Sequence, residues 1–359
     1  MAVNLATKYE KEIAMVFTIK SKVSGNTNQD YDFNGVKSIN IYTPVTQPLN
    51  DYKRTGSNRY GDPQELQDTL QEMEVNKDKA FSITIDKGNN TEQMGAKDAA
   101  KILALEIEEQ VTPEMDKYAL GRFIDYAGKS EALAAEPTSD TICTALSDGM
   151  VAMSNKNVPD DNRYIYIGWK WFGLLRLSKQ FIGIDELGKK ALINGELGTF
   201  MGAHVIAVPD TYLKKGESQC YFVITHKNSV VQPKKIQDYF VKENPAGING
   251  ALIEGRFIYD AHVLGARANG VYAAVAASTK QAAPTFSFSG GNLTVTSAGA
   301  TEVRVTLDGS DPRYSKNAIK TTSGGTIALP SGKTAAKAVA LDDALFTSDV
   351  ATDSERTVA

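Results

Sequence analysis

Pro44-Val-Thr-Gln-Pro-Leu-Asn-Asp-Tyr-Lys53-Arg54-Thr-Gly56-Ser-Asn-Arg59-Tyr-Gly61-Asp-Pro63 is bounded by proline at both ends and has almost no apolar content. The sequence on either side of it reads as strand. Residues 36–88 are therefore expected to form strands around a long polar loop. A hairpin with so little core is not stable alone in water. It needs a partner, and Lys53, Arg54 and Arg59 are free to meet acidic patches on one. Moving outward, Phe81, Ile83 and Ile85 alternate with Ser82, Thr84 and Asp86, the period of a half-buried strand. The preceding stretch, Leu66 to Val75, is expected to pair with it as a hairpin turning at Asn76-Lys-Asp-Lys79.

On the N-terminal side, residues 1–35 form a polar arm with an amphipathic start at Tyr9, Ile13, Val16 and Phe17. Its run Asn26-Thr-Asn-Gln-Asp-Tyr-Asp-Phe-Asn-Gly35 cannot bury a core of its own. The arm is expected to lie on something else, with Tyr9 and Phe17 as contacts. On the C-terminal side comes the strongest helical pattern in the chain. Ala99, Leu103, Ile107 and Val111 recur every four residues, behind a cap at Asn90-Thr91. Thr112-Pro113-Glu114 reads as the end of that helix and the start of a second, which carries Met115, Tyr118, Phe123 and Tyr126. A third helix is expected from about Ser139 to Ser154. From Pro159 the pattern is α/β: strands at Tyr164–Ile167, His204–Val208 and Cys220–Thr225, and a helix at Trp169–Ser178 with both tryptophans as buried anchors. An apolar segment, Phe257 to Tyr272, should return against the long helix.

The clearest boundary is at Ala282-Ala283-Pro284. Beyond it, short period-two segments such as Leu293-Thr-Val295 and Val303-Arg-Val305 alternate with turns at Gly290-Gly291 and Asp308-Gly309. That spacing predicts a small β-sandwich. Proline at the junction suggests a separate folding unit with few contacts across the linker, dispensable to the rest.

Composition narrows the function. The 359 residues are 42% hydrophobic and 23% charged, with a formal net charge of -4, so no basic excess marks a nucleic-acid-gripping protein. Cys143 and Cys220, the only two cysteines, have no metal or redox spacing and read as buried, reduced thiols. The opening residues reach charge by Lys8, which leaves no signal-peptide stretch, and Lys170 and Arg176 break the most apolar later run. The chain is expected to fold in a cytoplasm. His204, His226 and His262 share no ligand spacing, and no nucleophile elbow, P-loop or dinucleotide fingerprint is present. No catalytic residue, cofactor or metal is expected. An enzyme with a glycan-binding C-terminal module would need an active site in residues 36–275 that no motif supplies.

The order of parts resembles the major capsid proteins of tailed bacteriophages. The resemblance is carried by five stretches: Phe81-Ser-Ile-Thr-Ile-Asp86-Lys87; Val158-Pro159-Asp-Asp-Asn-Arg163; Gly198-Thr-Phe-Met-Gly202-Ala-His-Val205-Ile-Ala-Val-Pro209; His226-Lys227 with Pro233-Lys-Lys-Ile236; and Gly255-Arg256-Phe-Ile-Tyr259-Asp260 with Gly270-Val-Tyr272. With the arm and the hairpin loop before them, the resemblance covers roughly residues 5–275. The tail, around Thr306-Leu-Asp308-Gly309-Ser310-Asp311-Pro312, resembles chitobiase-type immunoglobulin-like domains.

The resemblance implies an α+β phage capsid fold: an arm (1–35), an extended β-hairpin loop with strands (36–90), a spine-helix peripheral domain (91–135, with 250–280 returning), an α/β axial lobe (136–249) and an immunoglobulin-like domain (284–359). It implies hexamers and pentamers tiling an icosahedral shell around packaged DNA, with portal, scaffold or decoration proteins as partners and no membrane. Assembly would occur in the host cytoplasm and the product would reside in the virion, with the last domain facing outward for weak glycan adhesion. Lys53, Arg54, Arg59, Tyr9 and Phe17 would be intersubunit contacts. An encapsulin-like compartment shell shares the fold and is the alternative.

Overall fold

The computed structural model describes residues 20–31, 33, 36–46, 49–63, 65–92, 98–178, 198–353 and 356–358. Tyr9 and Phe17, and with them most of the expected arm, lie outside the described residues.

The centre is a seven-stranded mixed sheet, ordered 129–133, 271–276, 218–226, 163–168, 203–208 and 199–200, with 214–215 pairing beside 218–226. Its inner strands, 271–276, 218–226, 163–168 and 203–208, are largely buried because both faces of the sheet are covered, whereas the edge strand 129–133 is polar. Tyr166, Val223, Val271 and Ala273 point to one face and pack with Ala119, Leu120, Phe123 and Ile124 of a helix. Ile165, Ile167, Phe222 and Ile224 point to the other, against Leu146, Met150, Trp171 and Leu175 of helices Ile142–Ser154 and Trp169–Leu177. Gly149 is where the first of these helices meets the sheet: a Cβ there would sit 2.8 Å from the ring of Tyr272.

The long helix differs from its expected form in two ways. It starts later, at Ala99, capped by Asp98, whose Oδ1 accepts from the backbone of Ala100 and Lys101 at 2.9 and 3.1 Å. It also does not stop at Thr112-Pro113. Helical backbone runs from Ala99 through a π-turn at Ile107–Val111 and on to Asp125. Proline has no N–H and its ring crowds the carbonyl four residues back. The π-turn relieves this: the Thr112 N–H bonds to Ile107, five residues back, and the helix survives its proline.

The expected pairing of Leu66–Val75 with Phe81–Ile85 is not formed. Gln67–Glu74 pairs with Ser38–Val45, from Val45 opposite Gln67 to Ser38 opposite Glu74. Lys77–Asp86 pairs instead with Gly250–Tyr259, which also pairs with Lys234–Glu243, giving a three-stranded antiparallel sheet. At the expected turn, Val75 is buried beside Met73 and Phe33, and the Asn76 N–H bonds the Asp260 carboxylate at 3.1 Å. Those anchors send the chain into a second sheet rather than back along the first. The return segment does pack on the helix: Phe257 and Tyr259 are buried against Met115, Ile107 and Val111.

Residues beyond Pro284 form a three-stranded sheet (285–289, 292–296, 325–328), a four-stranded sheet (319–321, 302–306, 337–341, 351–352) and a two-stranded pair. The two larger sheets share a core of Leu293, Val295, Val303, Val305, Ile327 and Ala338. The expected scarcity of contacts with the rest of the chain is contradicted. Phe346 is buried in the cluster that holds Ala119 and Phe123 of the long helix. Its backbone exchanges hydrogen bonds with Thr279 and Gln281, both at 2.9 Å. Proline limits one link in the chain, but it has no bearing on side chains that fold back across the junction.

Candidate assembly surfaces

The hairpin 38–45/67–74 ends in a tip whose shape comes from its own backbone. Asn58, Gly56 and Gly61 adopt positive φ, the Lys53 N–H bonds the Arg59 carbonyl at 3.0 Å, and Arg59 Nε donates to Gly56 at 3.2 Å. The crossing brings Lys53, Arg54 and Arg59 together, all exposed, and among the described residues none of them is ion-paired. Tyr52 and Tyr60 meet edge to face at 5.1 Å between centroids, yet Tyr60 remains 84% exposed. Leu49 and Leu66 are exposed beside them. The loop is therefore not simply polar: it presents apolar side chains to solvent. The legible signal was two tyrosines and two leucines placed in a loop with no core to receive them.

A second surface flanks the π-turn. A cleft of about 390 Å³ has Phe81, Val111, Phe257 and Tyr259 among its apolar lining, and Glu106, Glu109 and Glu114 supply carboxylates. Lys79 and Lys117 also reach it. A third feature is the sheet edge formed by Lys234–Glu243, where Tyr239, Phe240 and Val241 are exposed. On the helix Trp169–Leu177, Trp171 is buried and its Nε1 donates to Glu136 at 3.0 Å. Trp169, expected inside with it, is 56% exposed. In a helix of nine residues only one of two positions two apart can face the sheet.

The histidines are dispersed. His204 is exposed and stacks on Tyr164, His226 Nδ1 accepts the Asn228 N–H at 3.2 Å, and His262 sits among Asp260 and Arg122. Cys143 and Cys220 are buried and unpaired, and burial pushes the Cys220 thiol well up. In the tail, the Asp311 carboxylate receives Arg313, at 2.7 Å from Nη2, rather than standing open. Among the described residues no group of three or more His, Cys, Asp or Glu side chains could hold a metal, and no helix is long and apolar enough to cross a membrane.

No protein-family profile and no curated protein matches the chain. Solved structures do. A chain from the structure of Mycobacterium phage Che8 aligns over 76% of this chain and 98% of its own length, with a TM-score of 0.62 at 16% identity. A chain from the capsid structure of the cyanophage P-SCSP1u covers 76% and 93%, with a TM-score of 0.61 at 14% identity. One from the head of Helicobacter pylori bacteriophage KHP40 covers 76% and 95%, at 0.57 and 12%. These identities speak to fold alone, and on 76% of its length the chain has the fold of phage capsid subunits.

Proposed function

We propose that the chain is the major capsid protein of a tailed double-stranded-DNA phage, assembling into hexamers and pentamers of an icosahedral head. The observation that carries this is the span of the structural match: nearly the whole of each phage chain is accounted for, 98% in the first case. The hairpin supports it physically. A two-stranded ribbon with exposed tyrosines and leucines at its end has surface to bury and no core to bury it in. Its tip carries Lys53, Arg54 and Arg59, and Glu106, Glu109 and Glu114 along the helix cleft are a matching acidic surface on an adjacent copy. Tyr9 and Phe17 of the arm make further contacts between subunits. Heterologous contacts of this kind close into rings.

In this reading the shell encloses DNA without sequence-specific binding, in keeping with a net charge of -4. It works with a portal and with scaffold or decoration proteins, and is built in the host cytoplasm. Residues 284–359 are an outward-facing immunoglobulin-like module. Weak adhesion of each module to glycans would be multiplied by display at fixed spacing. Electron microscopy of the purified full-length chain, with no metal or cofactor added, tests the proposal. Rings or closed shells are expected. A monodisperse monomer at high concentration across salt and crowding conditions would overturn it.

A further inference from the structure

We propose that residues 284–359 have a role inside the subunit as well: they are a brace that fixes the direction in which the hairpin 38–45/67–74 leaves the body. Among the described residues the hairpin is a two-stranded sheet with no third strand beside it. On its body side the base is held by Met73 and Val75 in an apolar cluster with Val231 and Leu264. Gln71 adds two bonds there, accepting from Gly265 at 2.8 Å and donating to Val263 at 2.9 Å.

The opposing hold comes from one loop of the C-terminal module, Asp311–Lys316. The Lys316 N–H bonds the Leu70 carbonyl at 3.1 Å. Its ammonium lies 3.3 Å from Glu72 and 3.4 Å from the Asn40 side-chain oxygen. One residue thus contacts both strands of the hairpin.

The loop can brace only if it is itself fixed, and it is tied to the end of the long helix. The last carbonyls of a helix have no partner within it. Here two groups of the module reach the carbonyls just past the helix end: Tyr314 Oη donates to the Tyr126 carbonyl at 2.5 Å, and Arg313 donates to that of Ala127. Arg313 also brings a cation to the negative end of the helix dipole and is held in place by Asp311. Tyr314 packs so closely on Gly265 that a Cβ there would lie 2.8 Å away. Helix end, module and hairpin base are therefore joined by a short series of bonds.

The leverage is considerable. Strands of this length span roughly 25 Å at about 3.3 Å per residue, so a 10° swing at the base moves the tip by roughly 4 Å. A shift of that size separates a formed intersubunit contact from a missed one.

The test is hydrogen exchange on the unassembled full-length protein, and its readout does not depend on the capsid proposal. Lys316→Glu places like charge against Glu72 at an exposed position and leaves the module's core untouched. It should speed exchange of amides in 38–45 and 67–74 by roughly fivefold, while the central strand 163–168 is unchanged. The swap Lys316→Glu with Glu72→Lys should restore protection. Tyr314→Phe, which removes one of the loop's two bonds to the helix end, should loosen the same amides. Unchanged hairpin exchange in both single variants, or a rise spread equally over the whole chain, would overturn the brace.

Discussion

Arg163 has a guanidinium that is 1% exposed. It donates to the carbonyls of Val158 at 2.6 Å and Pro159 at 2.7 Å, to Ser154 Oγ at 3.1 Å, and lies 2.8 Å from Asp160. These bonds close the turn between helix Ile142–Ser154 and the strand that follows. Arg163→Met keeps most of the volume but strips buried acceptors of their partners, so a loss of about 3 kcal/mol is expected in urea denaturation. Asp160→Ala removes the ion pair but touches an exposed carboxylate, and should cost under about 1 kcal/mol. If the two variants cost the same, the ion pair rather than the carbonyl bonds holds the turn. His262 carries a pH dependence. Burial pushes its imidazole down to about 4, against the pull of Asp260 and with the push of Arg122. An unfolded histidine titrates near 6.5, so the unfolded chain takes up the proton first. Above about 6.5 this group costs nothing; as pH falls from there towards 4 stability declines, and below that the loss is complete. His262→Gln should flatten the decline over that window, as read from urea midpoints at a series of pH values.

At the scale of elements, the hairpin and the long helix answer to different forces. The helix is held by packing on two sheets, which is why it continues through Pro113. Among the described residues the hairpin tip is held only by bonds and contacts within itself, such as Asn58 donating to Asp62 at 2.7 Å and Tyr52 meeting Tyr60. Replacing residues 46–66 with Asn-Gly would close Val45 and Gln67, the last pair of the ladder, with a two-residue turn. The shortened chain should keep the circular dichroism and urea midpoint of the full one but fail to assemble. The triple variant Lys53→Glu, Arg54→Glu, Arg59→Glu should likewise fold normally, since exposed substitutions shift stability by only about 0.5 kcal/mol. Its assembly, followed by light scattering, should be lost at low salt and partly recovered at high salt, where a screening length of about 8 Å or less weakens the new repulsion. A global loss of structure on tip replacement would mean that the loop belongs to the core.

Across the whole molecule, the C-terminal sheets and the central sheet form a continuous structure. Phe346 sits in the main core, and Thr347 bonds Asp125 at 3.3 Å. Both tryptophans, Trp169 and Trp171, lie in the central part, so their fluorescence reports on that part alone. Phe346→Ala should lower its stability by about 3–5 kcal/mol, with fluorescence and circular dichroism changing together in one transition. Truncation after Ala283 removes the same side chain and is expected to produce a destabilised, aggregation-prone body. A truncated chain with an unshifted tryptophan transition would show that the module only rests on the surface.

Three strands of the central sheet (163–168, 203–208 and 218–226), the amphipathic run from Ala99 and the sandwich after Pro284 were written in the apolar pattern, a local property that a single sequence displays, whereas the edge strand 129–133, Lys-Ser-Glu-Ala-Leu, carries no such pattern. The isolation of the 44–63 loop was equally legible, because so few apolar residues, without periodicity, give a segment no core of its own to fold around. Pairing was not. Nothing between Val75 and Lys79 says that two consecutive strands join different sheets, since that choice rests on Asp260 and Val231, far along the chain. The same holds for Pro113, whose local veto on helix yields to apolar burial on both sides, and for Trp169, whose exposure depends on which residue the sheet receives. It holds most for Phe346 and Lys316. Local chemistry at Pro284 predicted a loose tether, whereas the free energy of burying one phenylalanine and satisfying two helix-end carbonyls is gained only once distant segments have met.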